Sequence, residues 1–340
     1  MKFFLSTMVC SFSSLALVLF CLYLTGESPW ALVQALEHTF FTSFGLGYTL
    51  FYTTTLIFCG LSVAFAYRAG LFNIGAEGQL IWGAIGVVAL ALQFPSLPVF
   101  IAIPMGILSC ALLGGIWGAL AGVLKAKRGI HEVISTILLN FIAVALTNYL
   151  VLYPFNNPLS QAAETALIPT SFWIPGNLFR TTPLNISFFL AVLLSLLLDF
   201  FFKRHPLGYE IKCLGGNSRA ARFAGIPTEN RTLLTFFVAG ALAGLVGVND
   251  VMGNEHQVIE GFSPGYGFMG IAVALVARNR PLGIIVSSFF FGSLYTFSRE
   301  IEFFTENLSK ELSVVLQALL LILFGTRHTW ENLFKERVRD

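Results

Sequence analysis

Apolar residues in this chain gather in long runs separated by short polar stretches. There is neither the alternation of a half-buried strand nor the spaced stripe of a surface helix. A helix needs about 20 apolar residues to cross a bilayer core of about 30 Å. Runs of that order stand at about 3–24, 39–60, 77–92, 98–124, 132–153, 185–202, 231–249, 266–277, 281–298 and 311–325, the one at 266–277 being short. The pattern predicts an all-α polytopic membrane bundle of about ten transmembrane helices in one domain, 1–340. The first run follows a single Lys2 but is long for a signal peptide, and no A-x-A site follows it. It reads as an uncleaved helix.

Composition supports this pattern. Charged residues are 11% of the chain, against about 25% in soluble domains, and mean hydropathy is +0.78. Cys10, Cys21, Cys59, Cys110 and Cys213 show no C-x-x-C spacing and read as small core hydrophobes. No metal, cofactor or nucleic-acid partner is expected.

Charge distribution sets the orientation. With the N-terminus in the cytoplasm, seventeen of the 20 Lys and Arg residues fall inside and only Arg180, Arg299 and Lys310 outside, as the positive-inside rule requires. Both termini are then cytoplasmic. Glu27, Glu37, Glu164, Asp250, Glu255, Glu260, Glu300, Glu302 and Glu306 fall in external loops. Residues 154–184 form a long external loop where a soluble partner could dock. Residues 203–230 form a basic, glycine-bearing cytoplasmic loop. Within it, Asn217 to Gly225 carries a cap residue, an amphipathic pattern and a terminal glycine, and reads as a short interfacial helix.

Several motifs fail on context. Gly261-Phe-Ser263-Pro-Gly265 matches G-x-S-x-G but lacks the strand that a nucleophile elbow needs. Gly265-Tyr-Gly267-Phe-Met-Gly270 matches G-x-G-x-x-G but opens an apolar run instead of a βαβ unit. His131-Glu132 begins like a zinc motif, with Ser135 where the second His belongs, and no P-loop occurs. No catalytic residue is assigned.

Ionisable and amide groups inside spans are costly, and so they are functional candidates. Asn73, Glu77 and Gln79 lie in a glycine-broken stretch, 70–79, and a second break runs from 261 to 270. Paired interruptions in the two halves of a transporter point to its translocation site. Glu77 reads either as a group on that path or as a structural one, pairing with Arg68 or capping the helix it begins. Asn140, Asn148 and Asn249 line the path or bond neighbouring helices. Asp199 and Lys203 read as an exposed i,i+4 pair. Gly114, Gly118 and Gly122, with Gly240 and Gly244, mark close helix packing.

Four ordered stretches carry a resemblance. They are Gly70-Leu-Phe-Asn-Ile-Gly-Ala-Glu-Gly-Gln79; Glu132-Val-Ile-Ser-Thr-Ile-Leu-Leu-Asn140; Leu207-Gly-Tyr-Glu-Ile-Lys212 with Asn217 and Ala220-Ala-Arg-Phe-Ala-Gly-Ile226; and Ser263-Pro-Gly-Tyr-Gly-Phe268 with Arg278-Asn-Arg-Pro-Leu-Gly283. In these the chain resembles permeases of bacterial ABC importers, nearest the nucleoside and simple-sugar branch of the group that includes ribose and branched-chain amino acid permeases. Cys213 and Ser218 depart from the family pattern, which has Ala and Pro there.

The resemblance implies a multi-pass subunit of the bacterial inner membrane that passes a small polar solute inward. It would work with a separate ABC ATPase, an extracytoplasmic solute-binding protein, and a second permease that is either itself or a related chain. Asn73, Glu77, Gln79, Asn140 and Tyr266 would lie on the substrate path through the surrounding lipid. Gly208, Asn217, Arg219, Ala220, Ala221, Arg222 and Gly225 would couple to the ATPase. A nucleoside is the first expectation, then a simple sugar or a flavin-like solute. The rival is an ion-coupled secondary transporter, which would need several deep carboxylates, where the sequence offers only Glu77. A cysteine at position 165 is expected to label from outside intact cells, and one at 215 only after permeabilisation; the reverse pattern would overturn the topology.

Overall fold

The computed structural model describes residues 26, 28, 30–176, 178 and 181–305. The expected spans at 3–24 and 311–325, both termini, Cys10, Cys21, Arg180 and Lys310 lie outside the described residues. Those residues are helical, with two isolated β-bridges and no strand. Six of their helices are long and apolar enough to cross a membrane. The helices are α1 (Trp30–Phe41), α2 (Ser43–Arg68), α3 (Ala76–Gln93), α4 (Val99–Arg128), α5 (Glu132–Leu152), α6 (Ser187–Arg204), α7 (Pro206–Gly216), α8 (Ser218–Phe223), α9 (Thr228–Gly244), α10 (Tyr266–Val276) and α11 (Pro281–Phe304).

The chain divides into two compact units, residues 1–49 with 293–340, and residues 50–292. In the smaller unit, α1 is a helix where the sequence suggested a loop and the start of a span. It buries Ala31, Leu32, Ala35 and Thr39 and exposes Trp30, Val33, Leu36 and Phe41. Thr42 Oγ1 separates it from α2 by accepting the Gly45 N–H at 2.9 Å. Glu300, expected in a loop, is buried on α11 and lies 2.7 Å from His38. The Arg299 guanidinium sits 3.6 Å over the Tyr48 ring.

The core of the larger unit is α3, α4 and α9, held by glycines. A Cβ on Gly240 would be driven into the Gly114 carbonyl, and one on Gly114 would lie 2.5 Å from the Gly240 carbonyl. Gly244 meets Cys110 and Gly114 in the same way, while Gly83 of α3 abuts Gly244. These backbones touch because lipid supplies no hydrophobic drive between helices and close van der Waals approach must replace it. Trp82 and Trp117 stack across α3 and α4 with centroids 4.4 Å apart.

Three expected spans change on folding. The run at 266–277 becomes α10, 11 residues long, and at 1.5 Å per residue it covers only about 16 Å. The run at 231–249 continues past α9 as a π-helical stretch, Val248–Glu255, so Asp250 is 5% exposed inside a spanning helix and not in an external loop. The expected helix at 39–60 runs on to Arg68. Asp199 and Lys203 form their i,i+4 pair at 2.6 Å on the last turns of α6.

Residues 153–176 fold back on the segment that follows the π stretch: Thr165 N–H donates to Val258 O, and Glu260 N–H to Ala163 O. Thr165 is buried there, and a Cβ at Gly215 would strike the Arg68 carbonyl. The labelling test therefore moves to Leu159, 96% exposed, and to Gly216, which has open space around it. A second expectation concerns packing. Gly240→Ala should lower stability by about 1–3 kcal/mol through overpacking, read as a lower unfolding midpoint in detergent; an unchanged midpoint would mean that the α4–α9 contact is loose.

Candidate functional site

The two sequence breaks meet in space. After α2 ends at Arg68, Gly70 takes φ +69 and the chain runs without helix to Ala76. Such a segment leaves backbone groups free, and side-chain amides satisfy them. Asn73 and Gln79 form a reciprocal pair, Asn73 Nδ2 to Gln79 Oε1 at 2.8 Å and Gln79 Nε2 to Asn73 Oδ1 at 3.0 Å. Asn73 also donates to Ser62 Oγ at 3.0 Å and accepts the Gly75 N–H at 3.1 Å. Asn140, on α5, accepts the Gly78 N–H and donates to the Ile74 carbonyl, both at 2.9 Å.

Glu77 does not pair with Arg68, and although it stands in the first turn of α3, its side chain reaches to another helix. Its Oε2 accepts the Gly267 N–H at 2.7 Å, at the start of α10. A carboxylate there satisfies an orphan donor and complements the positive end of the helix dipole. Gly265, at φ +96, opens α10. A Cβ on Gly267 would press into the Glu77 and Ala76 backbone, and one on Gly270 would lie 2.6 Å from Cys59 Cβ. The glycines read in the sequence as a failed nucleotide fingerprint thus seat a half-length helix. Tyr266, half-buried, lies with its ring 6.3 Å from that of Tyr52.

A second buried polar cluster surrounds the π stretch. Asn249 Nδ2 donates to Thr55 Oγ1 and Asp250 Oδ1, each at 2.9 Å, and Thr55 Oγ1 donates to the same carboxylate at 2.9 Å. Asn249 Oδ1 accepts from Ser187 Oγ at 2.8 Å and from Asn185 Nδ2 at 3.1 Å. Sequence reasoning missed Asp250 because the helix was ended at 249, six residues before the π stretch ends at Glu255. Gly247 and Gly253, flanking it, were the available signal, for both lie against other parts of the fold.

Residues 203–230 are mostly helical. His205 Nδ1 caps α7 through the Leu207 N–H, and Asn217 Oδ1 caps α8 through Arg219 and Ala220 N–H at 3.0 and 3.1 Å. Gly225 ends the turn at φ +82. Ala221 faces inward, while Arg219, Ala220 and Arg222 face out; a Cβ on Gly208 would lie 2.5 Å from the Phe201 carbonyl. Arg231 pairs with Glu210 and Arg222 with Glu229. An open cleft of about 380 Å³ runs beside α8, lined by Arg222, Ile226, Pro227, Thr228, Glu229 and Asn230. Phe223, absent from the sequence-derived set, is 94% exposed among these charges. Among the described residues, no group of three or more His, Cys, Asp or Glu side chains is placed to hold a metal.

A family model described as "Branched-chain amino acid transport system / permease component" matches residues 45–325. The guanosine ABC transporter permease NupP of Bacillus subtilis is 34% identical over 253 residues, 73% of this chain and 72% of that protein. The nucleoside ABC transporter permease NupB of Lactococcus lactis is 35% identical over 284 residues, 80% of this chain and 77% of that protein. The glucose ABC transporter permease TsgB13 of Haloferax volcanii is 31% identical over 299 residues, 85% and 78% of the two chains.

Glu77→Ala should cost about 1–3 kcal/mol by leaving the buried N–H groups at the start of α10 unsatisfied. Glu77→Gln should cost less, since an oxygen acceptor remains. Unfolding midpoints in detergent rank the two, and equal midpoints would remove Glu77 from the cap.

Proposed function

The chain belongs to the permease family of the branched-chain amino acid transport system, and from that premise we propose that it is the membrane subunit of an ATP-driven importer for nucleosides. The observation that carries the solute class is the 34% and 35% identity to a guanosine and a nucleoside permease across most of the chain. The sequence has no P-loop, so ATP would be hydrolysed by a separate subunit, in accord with a permease component.

The geometry supports a division of labour. External residues 154–184 receive a solute-binding protein. A second permease, identical or related, completes the pathway, and the assembly sits in a bacterial inner membrane with both termini inside. Asn73, Gln79 and Asn140 hold the broken segment on the solute path, Glu77 ties it to α10, and Tyr266 with Tyr52 offers aromatic surface. Within the coupling loop 203–230, the short helix from Asn217 to Gly225 meets the ATPase. Arg219 and Arg222 supply charge, and Phe223 supplies an aromatic anchor of the sort that concentrates binding energy.

A simple sugar is the second reading, favoured by the 31% identity to a glucose permease. Purification of the tagged chain from its native membrane in mild detergent should recover an ATPase and a binding protein. Titration of that binding protein with guanosine, uridine and glucose then names the class. Recovery of the chain alone, with flux in liposomes driven by an ion gradient, would overturn the importer reading. Replacing Arg219 and Arg222 with Glu should cut ATP-driven uptake by about tenfold or more, the scale of a lost charged contact, with insertion unchanged. Full uptake would separate α8 from the ATPase.

A further inference from the structure

Resting on the importer reading, we infer that the backbone contact between Gly70 and Gly215 is the joint through which movement of the ATPase-facing helices reaches the solute path. Gly215 is the penultimate residue of α7, two before Asn217, the cap of α8, and faces the end of α2. A Cβ built on it would strike the Arg68 carbonyl and lie 2.8 Å from Gly70 N; a Cβ on Gly70 would lie 3.0 Å from Gly215 Cα. The contact is backbone on backbone, with no side chain to yield, so a displacement of α7 toward α2 is passed to Gly70.

What it meets is a hinge. Gly70 ends α2 with the Leu71 N–H bonded to the Ala66 carbonyl at 3.1 Å, so the chain leaves the helix there in the left-handed region that glycine favours. From 71 to 75 there is no helical ladder to resist rotation, and the segment is tied instead to Ser62, Gln79 and Asn140 through side-chain amides. Two residues beyond it, Glu77 holds the N-terminus of α10. A push at Gly215 therefore moves the broken segment and α10 together. A second route from α7, through the Arg231–Glu210 pair into α9, ends in the glycine contacts that fix α9 to α4, and a third, Gly208 on the Phe201 carbonyl, enters α6. Of these, the Gly215 contact is the one that meets the unwound segment 71–75.

Neighbouring glycines supply the control. Gly215 and Gly216 share the last turn of α7, but a Cβ on Gly216 meets nothing within 4 Å. The test uses the whole importer in proteoliposomes, with solute uptake and ATP hydrolysis measured together. Gly215→Ala is expected to leave ATP hydrolysis near wild type while solute moved per ATP falls about tenfold, within the usual range of coupling between sites. Gly216→Ala should match wild type in both. An unchanged ratio in Gly215→Ala would overturn the inference. Should that variant fail to assemble, hydrogen exchange of residues 69–79 in the wild-type importer decides. Exchange there should change on binding a non-hydrolysable ATP analogue, and no change would overturn the joint. Absence of ATP-driven uptake by the wild type would instead overturn the importer reading beneath it.

Discussion

A bilayer interior offers no water to hydrogen-bond a peptide group, and the organisation of this chain depends on that constraint. A helix interrupted in such a medium must have its free N–H and C=O groups answered from within the protein, each failure costing several kcal/mol. Between α2 and α3 the answer comes from Asn73, Gln79 and Asn140, three amides that can donate and accept at once. At α10 it comes from Glu77. The polar residues most expensive to place in a membrane are the ones that make the interruptions possible.

The same medium explains the glycines. Where neighbouring helices gain nothing from hiding apolar surface, they gain from proximity, and Gly83, Gly114, Gly240 and Gly244 let three backbones touch. The result is backbone-on-backbone packing where α3, α4 and α9 meet and side-chain hydrogen bonds across the unwound segment 71–75. A transporter needs both properties, because alternating access requires some elements to move against others that do not. Family membership and the two nucleoside-permease relatives give that contrast its functional meaning.

Candidate functional positions were legible to differing degrees. Asn73, Glu77 and Gln79 stood out because ionisable and amide groups are rare in such apolar runs, and Asn217 and Gly225 because caps are local chemistry. Phe223 did not stand out, since an exposed Phe is distinguishable from a buried one only when the surface exists. Asp250 was misplaced because a π stretch carries α9 past the point where its apolar pattern fades. The partner of Glu77 lies 190 residues along the chain, beyond any local pattern.

What the sequence determined by itself was the all-helical class, the apolar runs that become the six long helices, the places where the chain breaks, and the short capped helix before Gly225. These depend on run length, side-chain polarity and bonds between residues a few positions apart, which one chain displays directly. Tertiary structure decided that the two breaks meet, that the run at 266–277 is a half-length helix seated on Glu77, and that Gly215 rests on Gly70. Those outcomes depend on backbones approaching across long stretches of sequence, and only the packed helices fix which glycine faces which.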